Sequence, residues 1–381
     1  MIRVDVQPGM LKWARERAGY SVTSLARRFP KLEAWEMGHR QPTLKQLERF
    51  ARATHVPVGF LFLSHPPKEE VPIPDFRRVA GTEAAPPSPN LLDTLYLCQQ
   101  RQVWFRDFAR STGEPALPFV GSAQITDDMT EAARRIRESL GLDIEARRQA
   151  ASWTEALRQF ISLAEDAGVL VMCSGVVGNN TRRTLDPDEF RGFALADDLA
   201  PLVFINGADT KAAQMFTLAH ELAHIWLGES GVIDAEAGWI PDGAVEGWCN
   251  RVAAELLVPL ESVRTEHDPA APLEEEVQRL ARRFKVSTLV VLRRIHDTGG
   301  ITKRAFWDAY EAEVARLRNL MKGSGGNFYL TQAARTSRRF SRALVISTME
   351  GRTMHRDAFR LLGFSKLKTF KELGRSLGVQ V

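Results

Sequence analysis

Two histidines four residues apart, His220 and His224, with Glu221 beside the first, form a group whose types and spacing could bind a metal ion and activate water. On a helix, residues four apart lie one turn above the other on the same face, so both imidazoles can grip a single ion. The carboxylate next to the first histidine reaches a water on the metal rather than the metal itself. Zinc held by three protein ligands keeps a fourth position open, lowers the pKa of water there to about 7 and polarises a carbonyl. Glu221 would then be general base and afterwards proton donor to a leaving amine. The chemistry expected is zinc-dependent peptide hydrolysis.

A third ligand must come from elsewhere. The extended HExxHxxGxxH pattern is absent, because Leu227 and Ser230 stand where its glycine and third histidine would be. A later carboxylate is required, and the candidates are Glu229, Asp234, Glu236, Asp242, Glu246 and Glu255. The first four fall in a loop-like stretch after Gly228. Glu246 opens the next helical segment, Val245 to Leu257, and Asn250 shares its face one turn on. Glu255, nine residues away, points to roughly the opposite side at about 3.6 residues per turn. Glu246 is the consistent ligand, with Asn250 as an outer-sphere partner that accepts the free ring N–H of a ligating histidine and sets its tautomer. The oxyanion stabiliser stays open among Tyr310, Arg251 and His296.

The elements that must position this group can be read from periodicity. Ala212 to Leu227 holds no Gly or Pro, follows Asp209 and Thr210 as caps and ends at Gly228, which predicts a helix. Before it come strand-like runs at Gly168 to Cys173, Phe190 to Ala196 and Leu202 to Ile205. Helical patterns precede those at Leu91 to Arg110, Asp127 to Leu140 and Thr154 to Ala167, so the region is α+β. The segments FTLAHELAHIWLG (216–228) and EGWCNRVAAELLVP (246–259) together resemble the ImmA/IrrE family of metallopeptidases. That resemblance implies a zincin-like fold, zinc on His220, His224 and Glu246, and Glu221 as the catalytic glutamate. It extends to FRGFALADD and PLVFING, and in zincin-like sites such a strand lines the cleft and pairs with extended substrate. It implies cleavage of a protein substrate such as a transcriptional repressor.

From Gly9 to Val56 the apolar spacing describes a bundle of four or five short helices, with Thr43 and Gln46 at capping-box spacing. WEMGHRQPT (35–43), preceded by SVTSLARRF and followed by LKQLERFA, resembles the Cro/repressor (XRE) type of helix-turn-helix over Lys12 to Val58. Arg27, Arg28, Lys31 and Arg40 are the expected phosphate contacts of a DNA-binding domain. Only nine residues separate Leu25 from Trp35, and Pro30 sits where a recognition helix would begin, so that helix is expected to be short.

Size and charge complete the picture. At 381 residues the chain exceeds one typical core. The three cysteines, Cys98, Cys173 and Cys249, are widely spaced without a CxxC, which excludes a disulfide framework and a cysteine zinc cluster and leaves small buried hydrophobes. The apolar runs are too short to span a membrane and the first residues show no export signal, so a cytoplasmic location is expected. Residues 1–70 carry a net +5 and residues 301–381 a net +10, so the middle carries −11 of the overall +4. Basic ends fit nucleic-acid contact or attraction to the acidic centre.

The expected organisation is multidomain: an all-α helix-turn-helix bundle (1–65), a Pro-rich linker (66–90), an α+β metallopeptidase domain (91–300) and a helical, basic C-terminal region (301–381) with a flexible break at Gly323 to Gly326. The expected function is a zinc endopeptidase that cuts a repressor or antitoxin-like partner in a stress, phage or toxin-antitoxin module, latent if a loop such as Glu229 to Gly243 or the tail covers the cleft. The alternative is a non-proteolytic DNA-binding regulator or antitoxin that keeps the zincin fold as a scaffold. A homodimer is left open.

Overall fold

The computed structural model describes residues 3–75, 86–233, 243–320 and 334–380. Its contacts divide the chain into two units, one of residues up to Pro72 with Pro86–Asp93 and one of the residues from Thr94 on, which Ile73–Asp75 joins.

Short helices close the first unit around an aromatic centre. Helices α1 (Pro8–Arg17), α2 (Val22–Ala26), α3 (Leu32–Glu36) and α4 (Leu44–Thr54) precede a 3-10 turn at Val58–Phe62. Phe29 and Trp35 meet Phe50 edge-on, at 5.5 and 6.4 Å between ring centroids. Ser21 caps α2 through Ser24 N–H, and Thr43 and Gln46 close a reciprocal capping box on α4. Pro30 has the expected effect, because α3 starts only at Leu32 and is five residues long. Arg27, Arg28, Lys31 and Arg40 are all exposed.

The second unit runs α5 (Pro89–Thr112), whose residues up to Asp93 fall in the first unit, α6 (Met129–Leu140), α7 (Ile144–Arg148), α8 (Trp153–Asp166), β1 (Leu170–Ser174), β2 (Gly192–Leu195), β3 (Leu202–Asn206), α9 (Lys211–Leu227) and β4 (Gly231–Ile233). Then come α10 (Ala244–Leu257), α11 (Leu260–Glu266), α12 (Leu273–Phe284), α13 (Thr288–Asp297), α14 (Lys303–Leu320), α15 (Arg338–Met349), α16 (His355–Leu362) and α17 (Leu367–Ser376). The sheet order is β1-β3-β2-β4, with β1 parallel to β3 and β2 antiparallel to both its neighbours.

The stretch after Gly228, read as a loop, contains β4. Three residues are too few to show alternation, and it is the backbone ladder to β2 that makes them a strand. The rest of that stretch, with Asp234, Glu236 and Asp242, lies outside the described residues, as does the break at Gly323 to Gly326.

Residues 334–380 pack on the rest of the second unit through polar contacts, several of them buried. Arg101, itself buried, donates to Leu361 O at 3.0 Å, and Asn179 Nδ2 donates to Leu362 O and Gly363 O at 3.1 and 2.9 Å. Glu165 on α8 accepts from Ser337 Oγ and, at 2.8 Å, from Arg338 N–H. Burial pushes the Glu165 carboxyl up to about 7 against these hydrogen bonds. With a folded-state pKa above the ordinary 4.5, the stability that protonated Glu165 contributes is full at low pH and is lost as pH rises through about 7. Urea unfolding at about pH 5 and pH 8 is expected to show wild type losing about 3 kcal/mol more than Glu165→Gln over that interval. Equal losses in the two proteins would remove the buried carboxylic acid as the cause.

Candidate metal centre

Helix α9 has no polar side over most of its length: Gln214 to Trp226 are all buried. A helix that is apolar all round sits inside its domain, so the interior placement of His220, Glu221 and His224 follows from the residues flanking them. Thr210 Oγ1 accepts from Ala213 N–H at 3.2 Å to start the helix, and Gly228, at φ 72°, ends it in the left-handed conformation that only glycine adopts freely.

His220 Nε2 and His224 Nε2 lie 3.0 Å apart. Glu246, in the first turn of α10, places Oε2 3.2 Å from His220 Nε2 and Oε1 3.1 Å from His224 Nε2. Asn250 Oδ1 stands 2.9 Å from His220 Nδ1. With an amide oxygen as its partner, Nδ1 carries the ring proton and donates it, which leaves Nε2 as a lone pair aimed at the other donors. Nitrogen and oxygen donors around one tetrahedral zinc stand roughly 3.3 Å apart for bonds of about 2.0–2.1 Å. The observed spacing therefore fits an ion.

Cys249 shares this face of α10, three residues after Glu246, and its Sγ lies within 4.8 Å of the histidine nitrogens. It is more than the small buried hydrophobe expected from the sequence. Of the thiol and the carboxylate, Glu246 is the one held in its charged form. Burial opposes ionisation of Glu246, but the two histidines outweigh it and hold its carboxyl at about 2. Burial, then Glu246 and Glu221, push the Cys249 thiol well up, away from the thiolate that binds metals.

Glu221 is fully buried, and neither carboxylate oxygen has a hydrogen-bond partner among the described residues. Burial first, and the neighbouring Glu246 second, raise its pKa well above the carboxylate range. A buried carboxyl without a partner is costly, and such groups concentrate where chemistry needs them. Room for it comes from Gly192 on β2, where a Cβ would stand 2.9 Å from Glu221 Oε1, 2.8 Å from Phe204 O and 2.6 Å from Thr217 Cγ2.

The register of α10 is held from its far end. Arg137 donates to Glu255 O and Arg294 to Val258 O, at 2.9 and 2.8 Å, and Arg147 donates to Leu257 O. Guanidinium groups thus take the carbonyls that a helix end leaves unpaired, where positive charge also suits the dipole. Glu255 pairs with Arg294 and points away from the centre. Glu229 is exposed. Of the residues left open for oxyanion stabilisation, Arg251 is exposed, while His296 stacks on Phe306, which also contacts the ring of Tyr310.

One expectation is corrected. The strand at Phe190 to Ala196 offers no free edge to an extended substrate, because β3 pairs with one side of β2 and β4 with the other. Its neighbour β4 is met in turn by Asp75, whose bridge partner is Val232, and Pro74 O accepts from Val232 N–H at 3.0 Å.

With these elements and donors placed, residues 164–296 match the family model of the IrrE N-terminal-like domain, peptidase family M78. Over this span the chain is similar to metallopeptidase domains. The span includes His220, Glu221, His224, Glu246, Cys249 and Asn250. Residues 336–376, which cover α15, α16 and α17, match a domain of unknown function (DUF8813). No curated protein matches the chain. Among the described residues, no helix is long and apolar enough to cross a membrane.

Gly192→Ala is expected to lower stability by about 1–3 kcal/mol, the usual cost of overpacking, with Glu221 displaced. Thermal unfolding checks the first part, and an unchanged melting temperature would show that β2 yields without strain.

Proposed function

We propose that the chain is a zinc-dependent endopeptidase that cuts a regulatory protein partner, a repressor or an antitoxin-like protein. The observation that carries this reading is the convergence of His220 Nε2, His224 Nε2 and the Glu246 carboxylate within 3.0–3.2 Å of one another, beside the unpartnered Glu221. Zinc held there supplies a Lewis acid for the scissile carbonyl and water of lowered pKa. Glu221 takes the proton released on attack and returns it to the leaving amine. Asn250 holds His220 in the tautomer that offers Nε2, and Gly192 keeps the space into which the Glu221 carboxylate projects.

The first unit serves this reading as a repressor-type DNA-binding domain that brings the peptidase to its regulator. Its support is the exposure of Arg27, Arg28, Lys31 and Arg40. The brevity of α3 limits base readout to the few residues around Lys31, Glu33 and Ala34, so phosphate contact would supply most of the affinity.

Metal analysis by mass spectrometry tests the assignment. About one zinc per chain is expected in wild type, Glu221→Gln and Cys249→Ser, and none in His220→Ala or Glu246→Ala. Asn250→Ala should keep the ion with about 10- to 100-fold weaker affinity. Full retention in Glu246→Ala with loss in Cys249→Ser would transfer the third position to the thiol.

Comparison of new protein N-termini in cells expressing wild type or Glu221→Gln tests the activity. Cleavages are expected in the first and to fall about 100-fold or more in the second. Identical profiles with zinc bound would leave the centre a scaffold.

A further inference from the structure

The basic C-terminal region carries two short helices joined by a tight turn that contains glycine. Helix α16 ends at Gly363, at φ 76°, and four residues, Gly363 to Lys366, lead into α17. Two helices joined by a turn of about three to four residues containing glycine are the frame that places a second helix in the DNA major groove. The pair is fastened from beneath. Ala358, Leu361 and Leu362 of α16 and Phe370, Leu373 and Leu377 in and after α17 are buried. Phe370 contacts Phe359 and His355 at 5.7 and 5.5 Å between ring centroids.

The opposite face is cationic. On α17, Lys368, Lys371 and Arg375 recur at helical spacing and are exposed, as are Lys366 at the N-cap and the half-exposed Leu367. Lys366, Lys371 and Arg375 make no ion pair among the described residues, and Lys368 reaches Glu372 only at 3.9 Å. On α16, the exposed Arg356 and Arg360 share a single acid, Asp357, at 3.8 and 3.9 Å. The first turn of α17 carries no acidic residue. Lysines therefore crowd the positive end of a helix dipole, an arrangement that costs free energy in the isolated chain and that an anion at the helix start would offset.

We propose that α16 and α17 form a docking surface for duplex DNA, with α17 entering the major groove start-first and Arg356 and Arg360 on the flanking phosphates. The groove distinguishes this partner from RNA, whose A-form major groove is too deep and narrow for a helix. The proposal stands apart from the peptidase reading and from the candidate contacts of the first unit.

The test is binding of the full-length protein to labelled mixed-sequence duplex DNA across a salt series. Wild type is compared with Lys368→Glu/Lys371→Glu/Arg375→Glu and with a charge-matched control, Arg264→Glu/Arg282→Glu/Arg304→Glu, on exposed arginines of α11, α12 and α14. The α17 variant should bind about tenfold or more weakly, with a salt slope shallower by about 2–3, while the control keeps wild-type affinity. Circular dichroism should be the same in all three. The proposal is overturned by equal weakening in both variants, by no change in the α17 variant, by absence of wild-type binding at low salt, or by equal affinity for duplex RNA.

Discussion

Four ionisable side chains sit together in the interior of one domain, and the surrounding architecture is arranged around the cost of that burial. His220, Glu221, His224 and Glu246 are each at most 3% exposed. Two carboxyl groups in a low-dielectric interior repel, and each would be costly to ionise without a partner. The histidines answer for Glu246 but leave Glu221 unmatched. A divalent cation among the lone pairs would balance the charge, and this requirement links the geometry to the metallopeptidase match.

Long-range supports hold the group in place. A single glycine on β2 lets the sheet approach the Glu221 carboxyl, and Asn250 orients one imidazole from α10. The half-buried Arg137 and the buried Arg147 and Arg294 take the last carbonyls of that same helix. Guanidinium groups suit this work because their several N–H donors stay charged when buried and fit carbonyl oxygens. Arg101 does the same for Leu361 O at the end of α16. The C-terminal helices are thereby tied to the domain that carries the metal centre, and their own cationic face remains outward.

Positive charge in this chain has two distinct uses. Inside, it satisfies helix ends, where a carboxylate would be repelled by the dipole. Outside, on α17, it gathers at the start of a helix, where the dipole disfavours it. The net charge of the tail alone does not separate these uses, since Arg339, paired with Glu114, and Lys371 count equally in it.

The sequence by itself determined what depends on local periodicity. The spacing of His220 and His224 on an uninterrupted apolar run set both the helix and the shared face, and Gly228 set its end. The incomplete motif demanded a later carboxylate, and Glu246 with Asn250 one turn on are the residues found beside the histidines. Pro30 foretold a short α3, and Thr43 with Gln46 foretold a capped α4. Only the tertiary structure decided the rest: Cys249 beside the histidines, β4 along the outer edge of β2, and Glu165 under Ser337. These contacts join residues far apart along the chain, or lie in segments too short to show a pattern. No helical or strand period records such encounters, because their energy comes from desolvated pairs formed only once the chain has closed on itself.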